Sequence, residues 1–297
     1  MLFVEQRQDR FDHLKKVLDP YVKEAQKSGQ IKAVELLLGD CDAVLNKLLA
    51  DHEAQGTDFG PALAFFDQFG YSAVAMDLVA RVLRYGQCEV FTYLDYKDMN
   101  RWITDPTKTP AFNRAYGGED WRQCINLPEA KRRSCLLDRY KAALKRRVQE
   151  GGAEGKFVAS FLMFDRNEQP LYWLVFCTNN LRGLEEMKKA MWFVDKTGSF
   201  RFSDQDNPDQ LRLLDDSFNQ DWLAEELRAR LAGREMSVLA IKEFVLTDTP
   251  CYLFKAALKK LEVGPMKSAT VLQAPQGRKP GTYRDQILHQ IILRFLT

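Results

Sequence analysis

The amino-acid sequence predicts an α/β fold, with a mostly parallel sheet followed by a smaller, basic C-terminal domain. Three observations support this prediction. Short apolar runs alternate with amphipathic segments from residue 2 to residue 94, two longer apolar runs lie close together between residues 157 and 178, and the composition becomes basic after residue 233. Alternating strands and helices are typical of doubly wound sheets, which often carry an antiparallel hairpin at one edge.

The first third of the chain is predicted to contain four strands separated by three helices. We expect strands at 2–5, 32–40, 62–66 and 88–94, and helices at 8–22, 44–49 and 74–82. Pro20 is expected to end or bend the first helix, because proline lacks the N–H that a helix interior needs. Strands joined by a helix form parallel pairs with a right-handed crossover, so their carboxyl ends lie at one edge of the sheet.

Polar and aromatic residues follow the two central strands at this edge. The residues are Asp67, Phe69, Tyr71, Asp95, Asn100 and Arg101. Ligands of open parallel sheets bind beyond the carboxyl ends of the strands. We therefore expect a ligand site of the first domain at this edge.

The composition is that of a globular protein, with 45% hydrophobic and 28% charged residues in 297. No apolar run is long enough to cross a membrane, and the first residues lack the pattern of a secretory signal. Six cysteines are scattered without a C-x-x-C pair, which predicts buried thiols in a reducing, cytoplasmic compartment and not a disulfide framework. Three widely spaced histidines argue against a metal cluster, so no metal site is expected.

A basic helix is predicted at residues 127–148, after a long polar loop at 105–118 that contains two prolines. Two interpretations of the helix remain open: an ordinary solvated surface, or a surface that follows a phosphate backbone. Its cations are Lys131, Arg132, Arg133, Arg139, Lys141, Lys145, Arg146 and Arg147.

The remainder of the first domain is predicted to hold a hairpin and two helices. The strands are expected at 157–164 and 171–178, and the helices at 183–195 and 222–231. Gly233 is expected to end the last helix. We therefore assign residues 1–233 to the first domain, with an insertion at about 105–150, and residues 234–297 to the second.

The second domain is predicted to be a winged helix-turn-helix. It carries ten Lys/Arg against five Asp/Glu, which is +5 in a chain whose net charge is +2, so the first 233 residues are at −3. Helices at 237–244 and 251–261, the second beginning at Pro250, precede strands at 267–273 and 289–296 around a basic loop at 274–281. Such domains place the second helix in the DNA major groove and the loop on phosphates. A domain of this layout that contacts only proteins is the alternative.

Nine cations are the predicted nucleic-acid contacts. They are Lys255, Lys259 and Lys260 on the second helix, Arg278 and Lys279 at the loop tip, and Arg132, Arg133, Arg146 and Arg147 on the basic helix.

Three stretches and the tail of this sequence resemble one bacterial family, the three-Cys-motif partner proteins. The stretches are FFDQFGYS at residues 65–72, EVFTYLDYKDMNRW at 89–102, and YWLVFCTNNLRGLEEMKKAMWFVDKTGSFRFSD at 172–204, while the tail, residues 249–295, resembles the winged C-terminus of the family. Within the third stretch the matching residues are Thr178, Gly183, Met187, Lys188, Met191 and Trp192. The family is methyltransferase-like and pairs with a radical-SAM-like protein, which carries the three cysteines.

The resemblance implies a Rossmann-like, methyltransferase-like first domain and assigns roles to five residues. Glu5 corresponds to the acid that holds the ribose of S-adenosylmethionine, and Asp40 to the acid near the adenine. Asp67, Phe69 and Tyr71 correspond to the catalytic turn, although Gln68 replaces the proline of the family motif. The resemblance also implies that a strand and its Gly-rich loop should precede Met1, and without them we expect unpaired strand edges and a degenerate cofactor site.

Three functions follow as alternatives. The first is an accessory protein of DNA binding or processing on a degenerate scaffold, with DNA and the radical-SAM-like protein as partners, no cofactor and no membrane contact; a homodimer is one way to fill the gap in the sheet. The second is a nucleic-acid methyltransferase that uses S-adenosylmethionine. The third is a metal-dependent nuclease built on Asp95, Lys97 and Asp77, a pattern that arises often by chance.

Overall fold

The protein is a mixed α/β structure with parallel and antiparallel strands, as the sequence predicts. The computed structural model describes residues 1–29, 33–67, 74–151, 157–195, 201–203 and 216–296, and describes side chains in all of these except 201–203 and 216–219. Its contacts divide the chain into two compact units, residues 1–155 and 156–297. No helix in the described ranges is long and apolar enough to span a membrane.

The first unit begins with a parallel pair of short strands and two helices. The elements are β1 (Leu2–Glu5), α1 (Gln8–Lys27), β2 (Glu35–Leu38) and α2 (Cys41–Gln55). Glu5 lies opposite Leu38 in the parallel register. Pro20 lies inside α1, so of the two predicted alternatives it does not end the helix. No residue of α1 is buried, and an exposed carbonyl that loses its N–H partner at proline can bind water instead.

A second parallel pair follows with the predicted connection. Strands β3 (Ala62–Phe66) and β4 (Cys88–Leu94) flank α3 (Met76–Leu83), and Ala62 pairs with Cys88 through to Phe66 with Thr92. Within the first unit, the described residues pair β1 only with β2, and β3 only with β4.

The segment predicted to be a polar loop is helical. Helix α4 (Tyr96–Trp102) leads into α5 (Thr109–Tyr116) and then α6 (Glu129–Glu150), with 3-10 turns at 106–108 and 120–124. Phe112, Ala115 and Tyr116 are buried. The prediction at 105–118 is therefore wrong, because three apolar residues at helical spacing outweigh the two prolines, which lie within the first turns.

The second unit begins with the predicted hairpin. Strands β5 (Phe157–Phe164) and β6 (Pro170–Thr178) are antiparallel, β7 (Arg201–Ser203) pairs in parallel with β5, and α7 (Leu181–Val194) follows β6.

The rest of the second unit surrounds one hydrophobic core. Its elements are α8 (Asp216–Leu231), β8 (Glu235–Ser237), α9 (Val238–Asp248), α10 (Phe254–Glu262), β9 (Ala269–Gln273) and β10 (Ile292–Phe295). Strand β10 lies between β8 and β9 in an antiparallel sheet, and the sequence prediction missed β8. Helix α10 begins at Phe254, not at Pro250.

The core explains why the division into units differs from a boundary at Gly233. Leu223, Leu227 and Leu231 of α8 are buried in the same cluster as residues of α9, α10 and β10. Leu246 of α9 is buried in a second cluster with residues of β5 and α7. Residues on both sides of Gly233 therefore share hydrophobic cores.

Candidate nucleic-acid interface

The carboxylate of Glu262, at the end of α10, organises the loop that follows β9. Arg278 donates two hydrogen bonds to its two oxygens, at 2.8 and 2.6 Å, and the Gly281 N–H and the Tyr283 hydroxyl donate at 3.0 and 2.5 Å. The side chains of Arg278 and Glu262 are only 5% and 7% exposed. The loop is therefore attached to α10 by a nearly buried ion pair.

This ion pair corrects the prediction for Arg278. We expected Arg278 to contact phosphate at an exposed tip, but its guanidinium faces Glu262 and the ring of Tyr283, whose centroid is 4.8 Å from Cζ. A buried bidentate pair cannot turn to a phosphate without leaving the carboxylate unpaired. Arg278 is therefore a structural residue of the loop.

Glu262 has a pKa that reflects two opposing influences. Burial raises the pKa, but the hydrogen bonds from Arg278, Tyr283 and Gly281 stabilise the charged form and leave the net pKa below its usual value of 4.5. The carboxylate therefore stays ionised at neutral pH, and the loop remains attached.

The three lysines of α10 differ in their partners. Lys255 pairs with Asp285 at 2.7 Å, and Lys260 pairs with Asp221. Lys259 is exposed and has no carboxylate within 4.0 Å among the described residues. Of the predicted contacts on α10, Lys259 is thus the one whose charge is not balanced locally.

Two further cations belong to the loop that packs against α10 near Lys259. Lys279 and Arg284 are exposed and, within the described part of the chain, have no ion-pair partner. Between them, Gly281 lies close enough to α10 that an added Cβ would be 3.1 Å from Lys259 Cγ. Arg284 lies between Tyr283 and Asp285, and both neighbours bond to α10. We call Lys259, Lys279 and Arg284 the basic surface.

The cations of α6 are arranged differently. Arg132 donates to the Asn100 side chain at 3.0 Å and to the Leu127 carbonyl at 2.9 Å. Arg146 pairs with Asp120 at 2.7 Å. Of the four arginines predicted to bind nucleic acid here, Arg133 lacks an ion-pair partner among the described residues.

Arg147 links three elements of the first unit. It donates to the Gly117 carbonyl at 2.6 Å and lies 3.3 Å from Asp77 of α3 and from Glu150. With Arg132 and Arg146, it joins α6 to the segments that pack against it. These contacts compete with any phosphate for the same N–H groups.

The predicted acids of the cofactor edge lie at the ends of adjacent strands. Glu5 ends β1, and its Oε1 accepts the Arg7 backbone N–H at 2.8 Å. Asp40 follows β2 and caps α2, accepting the Ala43 N–H at 3.0 Å. Both acids follow the carboxyl ends of their strands, and each carboxylate binds the turn that follows its own strand.

The predicted catalytic turn is described only in part. Asp67 is exposed immediately after β3, whereas Phe69 and Tyr71 lie outside the described residues. Asp95 follows β4 and caps α4 by accepting the Asp98 N–H at 3.0 Å. Burial raises the pKa of Asp95 above its usual value.

The sequence did not predict two hydrogen bonds that fix the segment between α9 and α10. Lys188 and Trp192, one helical turn apart on α7, donate to the consecutive carbonyls of Thr249 and Pro250, the second at 2.8 Å. They therefore hold the segment between α9 and α10. The amphipathic pattern of α7 predicts that Trp192 is buried, but not that either side chain bonds to a segment about 60 residues away.

Cysteine chemistry also departs from expectation. Cys124 and Cys135 form a disulfide, with 5.7 Å between their Cα atoms, so the prediction that all six cysteines are free thiols is wrong. A spacing of eleven residues looks unremarkable in sequence, but the 3-10 turn at 120–124 returns the chain to α6.

No family model, curated protein or solved structure matches this chain.

Proposed function

We propose that this protein binds double-stranded DNA through the basic surface of its second unit, and that it acts as an accessory protein in DNA processing. The observation that carries the proposal is that Lys259, Lys279 and Arg284 are exposed and have no ion-pair partner among the described residues, while Gly281, which lies between the latter two in sequence, packs against Lys259. Unpaired surface cations gain most from contact with phosphates, because binding releases the counterions that surround DNA.

The order of elements supports a winged helix-turn-helix as the binding module. Helix α8, strand β8, helices α9 and α10, and strands β9 and β10 follow one another, and β10 lies in the centre of the sheet. In that arrangement α10 is the helix that enters the major groove, and the loop between β9 and β10 is the wing. Lys259 then contacts the DNA from α10, while Lys279 and Arg284 contact the phosphate backbone of the DNA from the loop.

The ion pair between Arg278 and Glu262 supports the proposal indirectly. It attaches the wing to the end of α10, so the cations of the two segments keep a fixed spacing. A fixed spacing lowers the entropy lost when several phosphates are contacted together.

The first unit fits a degenerate, methyltransferase-like scaffold better than an active one. A Rossmann-like interpretation is supported by the two pairs of parallel strands and by the positions of Glu5 and Asp40 at the ends of adjacent strands. Each of these carboxylates already accepts a backbone N–H of its own turn, and no Gly-rich turn among the described residues offers the close backbone approach that such cofactors need. A degenerate cofactor site is therefore the interpretation that we propose for the first unit.

A nucleic-acid methyltransferase remains the second candidate, because Asp67 lies at the carboxyl end of β3 as the resemblance requires. Calorimetry with S-adenosylhomocysteine tests it. Saturable heat that disappears in Glu5→Ala would favour the enzyme, and no heat at millimolar ligand would remove it.

A metal-dependent nuclease is supported least. Asp95 caps α4, and Asp77 pairs with Arg147. Within the described ranges, no group of three metal-binding side chains converges.

The DNA-binding proposal is tested by fluorescence anisotropy with a short labelled duplex. The variant K259A/K279A/R284A should lose most of the affinity. The matched control K15A/K16A/K97A removes the same charge from exposed lysines of α1 and α4 and should bind like wild type. Equal loss in both variants would indicate a response to net charge, which would contradict the proposed surface.

A further inference from the structure

The disulfide between Cys124 and Cys135 connects two segments of unequal exposure. Cys124, at the end of the 3-10 turn, is fully buried, whereas Cys135 on α6 is partly exposed. The four other cysteines are not part of a disulfide; Cys88, Cys177 and Cys251 are buried and Cys41 is partly exposed. Cys135 is therefore the more exposed residue of the disulfide.

Cys135 faces a surface pocket of about 440 Å³. Its described lining residues all belong to α6: Ala130, Lys131, Ser134, Cys135, Asp138 and Arg139. The depression is open to solvent, since one face of a single helix forms it. Cys135 therefore borders a surface that a small reagent can reach.

The pocket favours an anion beside the sulfur. Lys131 and Arg139 lie four residues before and after Cys135, and residues at that spacing are neighbours on one helix face. Asp138 offsets one of the two positive charges.

The same cations favour the thiolate of Cys135 after reduction. A nearby positive charge stabilises the charged form of a thiol, and the thiolate is the nucleophile in disulfide exchange. Cys124 is buried, so a reagent in solution reaches Cys135 first. The two cysteines are thus suited to different steps of one reaction.

We propose that Cys135 is a site of reversible S-thiolation by anionic, low-molecular-weight disulfides of the glutathione class, and that Cys124 resolves the adduct. The Cys135 thiolate attacks one sulfur of the small disulfide, forms a mixed disulfide and releases one small thiolate. Cys124 then loses its proton and attacks the Cys135 sulfur, which forms the internal disulfide and releases the second small thiol. One small disulfide is reduced to two thiols for each pair of cysteines oxidised. This inference does not depend on DNA binding.

Cys41 provides an internal comparison. It is also partly exposed, but burial, together with the charges of Asp42 and Asp40, raises the pKa of its thiol to about 11. Little thiolate is therefore present near neutral pH. If charge and not exposure alone selects the site, adducts should form at Cys135 and not at Cys41.

The test uses the reduced full-length chain and oxidised glutathione. In Cys124→Ser the resolving thiol is absent, so a single glutathionyl adduct should accumulate and map to Cys135 by peptide mass spectrometry. Wild-type protein should retain no adduct but lose two titratable thiols. In Cys135→Ser no adduct should appear at Cys124, and the double variant Lys131→Gln/Arg139→Gln should react about tenfold more slowly in the Cys124→Ser background because less thiolate is present.

Three results would overturn the proposal: an adduct on Cys41 in preference to Cys135, six titratable thiols in wild type after treatment, or an unchanged rate in Lys131→Gln/Arg139→Gln. Circular dichroism of each reduced variant checks folding. If Cys124→Ser does not fold, the reaction of wild-type protein is quenched at short times and the adduct is mapped by mass spectrometry. This transient adduct must also lie on Cys135.

Discussion

Helix α6 and the region formed by α10 and the β9–β10 loop look alike in sequence and differ in the structure. Both are rich in Lys and Arg, yet α6 directs Arg132, Arg146 and Arg147 to acceptors in its own unit. In the α10 region Arg278 is buried against Glu262, and the three cations of the basic surface are exposed and have no ion-pair partner among the described residues. Positive charge in a sequence therefore predicts a binding surface only where the fold leaves that charge unbalanced.

The largest expected effect concerns the buried pair. Arg278→Ala leaves the Glu262 carboxylate nearly buried and without its main partner, and breaking such a pair costs about 3–5 kcal/mol of stability. Urea unfolding of the full chain, followed by tryptophan fluorescence, measures the loss. The neighbouring exposed cation is the control: Lys279→Ala should change the free energy of unfolding by less than about 0.5 kcal/mol.

Equal effects of the two substitutions would mean that Arg278 is as exposed as Lys279, contrary to the structure. A double-mutant cycle with Glu262→Ala separates the pair from the packing of the arginine side chain.

The same carboxylate predicts a pH dependence. Because the folded-state pKa of Glu262 lies below 4.5, its contribution is complete above pH 4.5 and is lost as the pH falls from 4.5 through the folded-state value. Wild type should therefore lose stability over this window more steeply than Glu262→Gln. Thermal unfolding at a series of pH values gives the two slopes, and parallel slopes would contradict the assigned ion pair.

A smaller effect is expected at the segment between α9 and α10. Trp192→Phe removes the 2.8 Å hydrogen bond to the Pro250 carbonyl and keeps most of the ring, so it should cost about 1 kcal/mol. Hydrogen exchange of residues 249–253 should speed up in this variant. Trp222→Phe, which changes a partly exposed tryptophan on α8, is the matched control and should leave that exchange unchanged.

The smallest effect is expected on α6. Arg146 and Asp120 are both 44% exposed, and exposed pairs contribute about 0–1 kcal/mol. Arg146→Ala should therefore lower the free energy of unfolding by less than 1 kcal/mol, in contrast to Arg278→Ala. A loss of several kcal/mol would show that the exposed pair on α6 contributes as much stability as the buried pair on α10, which would contradict the comparison.

Much of the fold was predictable from local patterns. Strands β1, β3 and β4 match their predicted bounds, and the hairpin of β5 and β6 was predicted to within one residue. Apolar runs bounded by turn residues carry enough information for such elements. Strand β8 was missed because three residues, one of them Glu235, give no periodic signal, and only pairing with β10 makes them a strand.

The site was less predictable than the fold, because ion pairing depends on residues distant in sequence. Arg278 and Glu262 are separated by 16 residues, and Lys260 and Asp221 by 39. Nothing in the local sequence distinguishes Lys260, which is paired, from Lys259, which is not. Arg284 was overlooked for the converse reason, since it lies beyond the apparent loop tip and reaches α10 only through its neighbours Tyr283 and Asp285.

The most direct test of the account is the salt dependence of duplex binding by wild type and K259A/K279A/R284A. Each phosphate contact contributes about −0.9 to the slope of log K against log salt concentration. If the basic surface binds DNA, the slope should become shallower by about 0.9 for each cation that contacts a phosphate, and K15A/K16A/K97A should keep the wild-type slope. An unchanged slope in the triple variant, or wild-type binding that does not weaken with salt, would contradict the account.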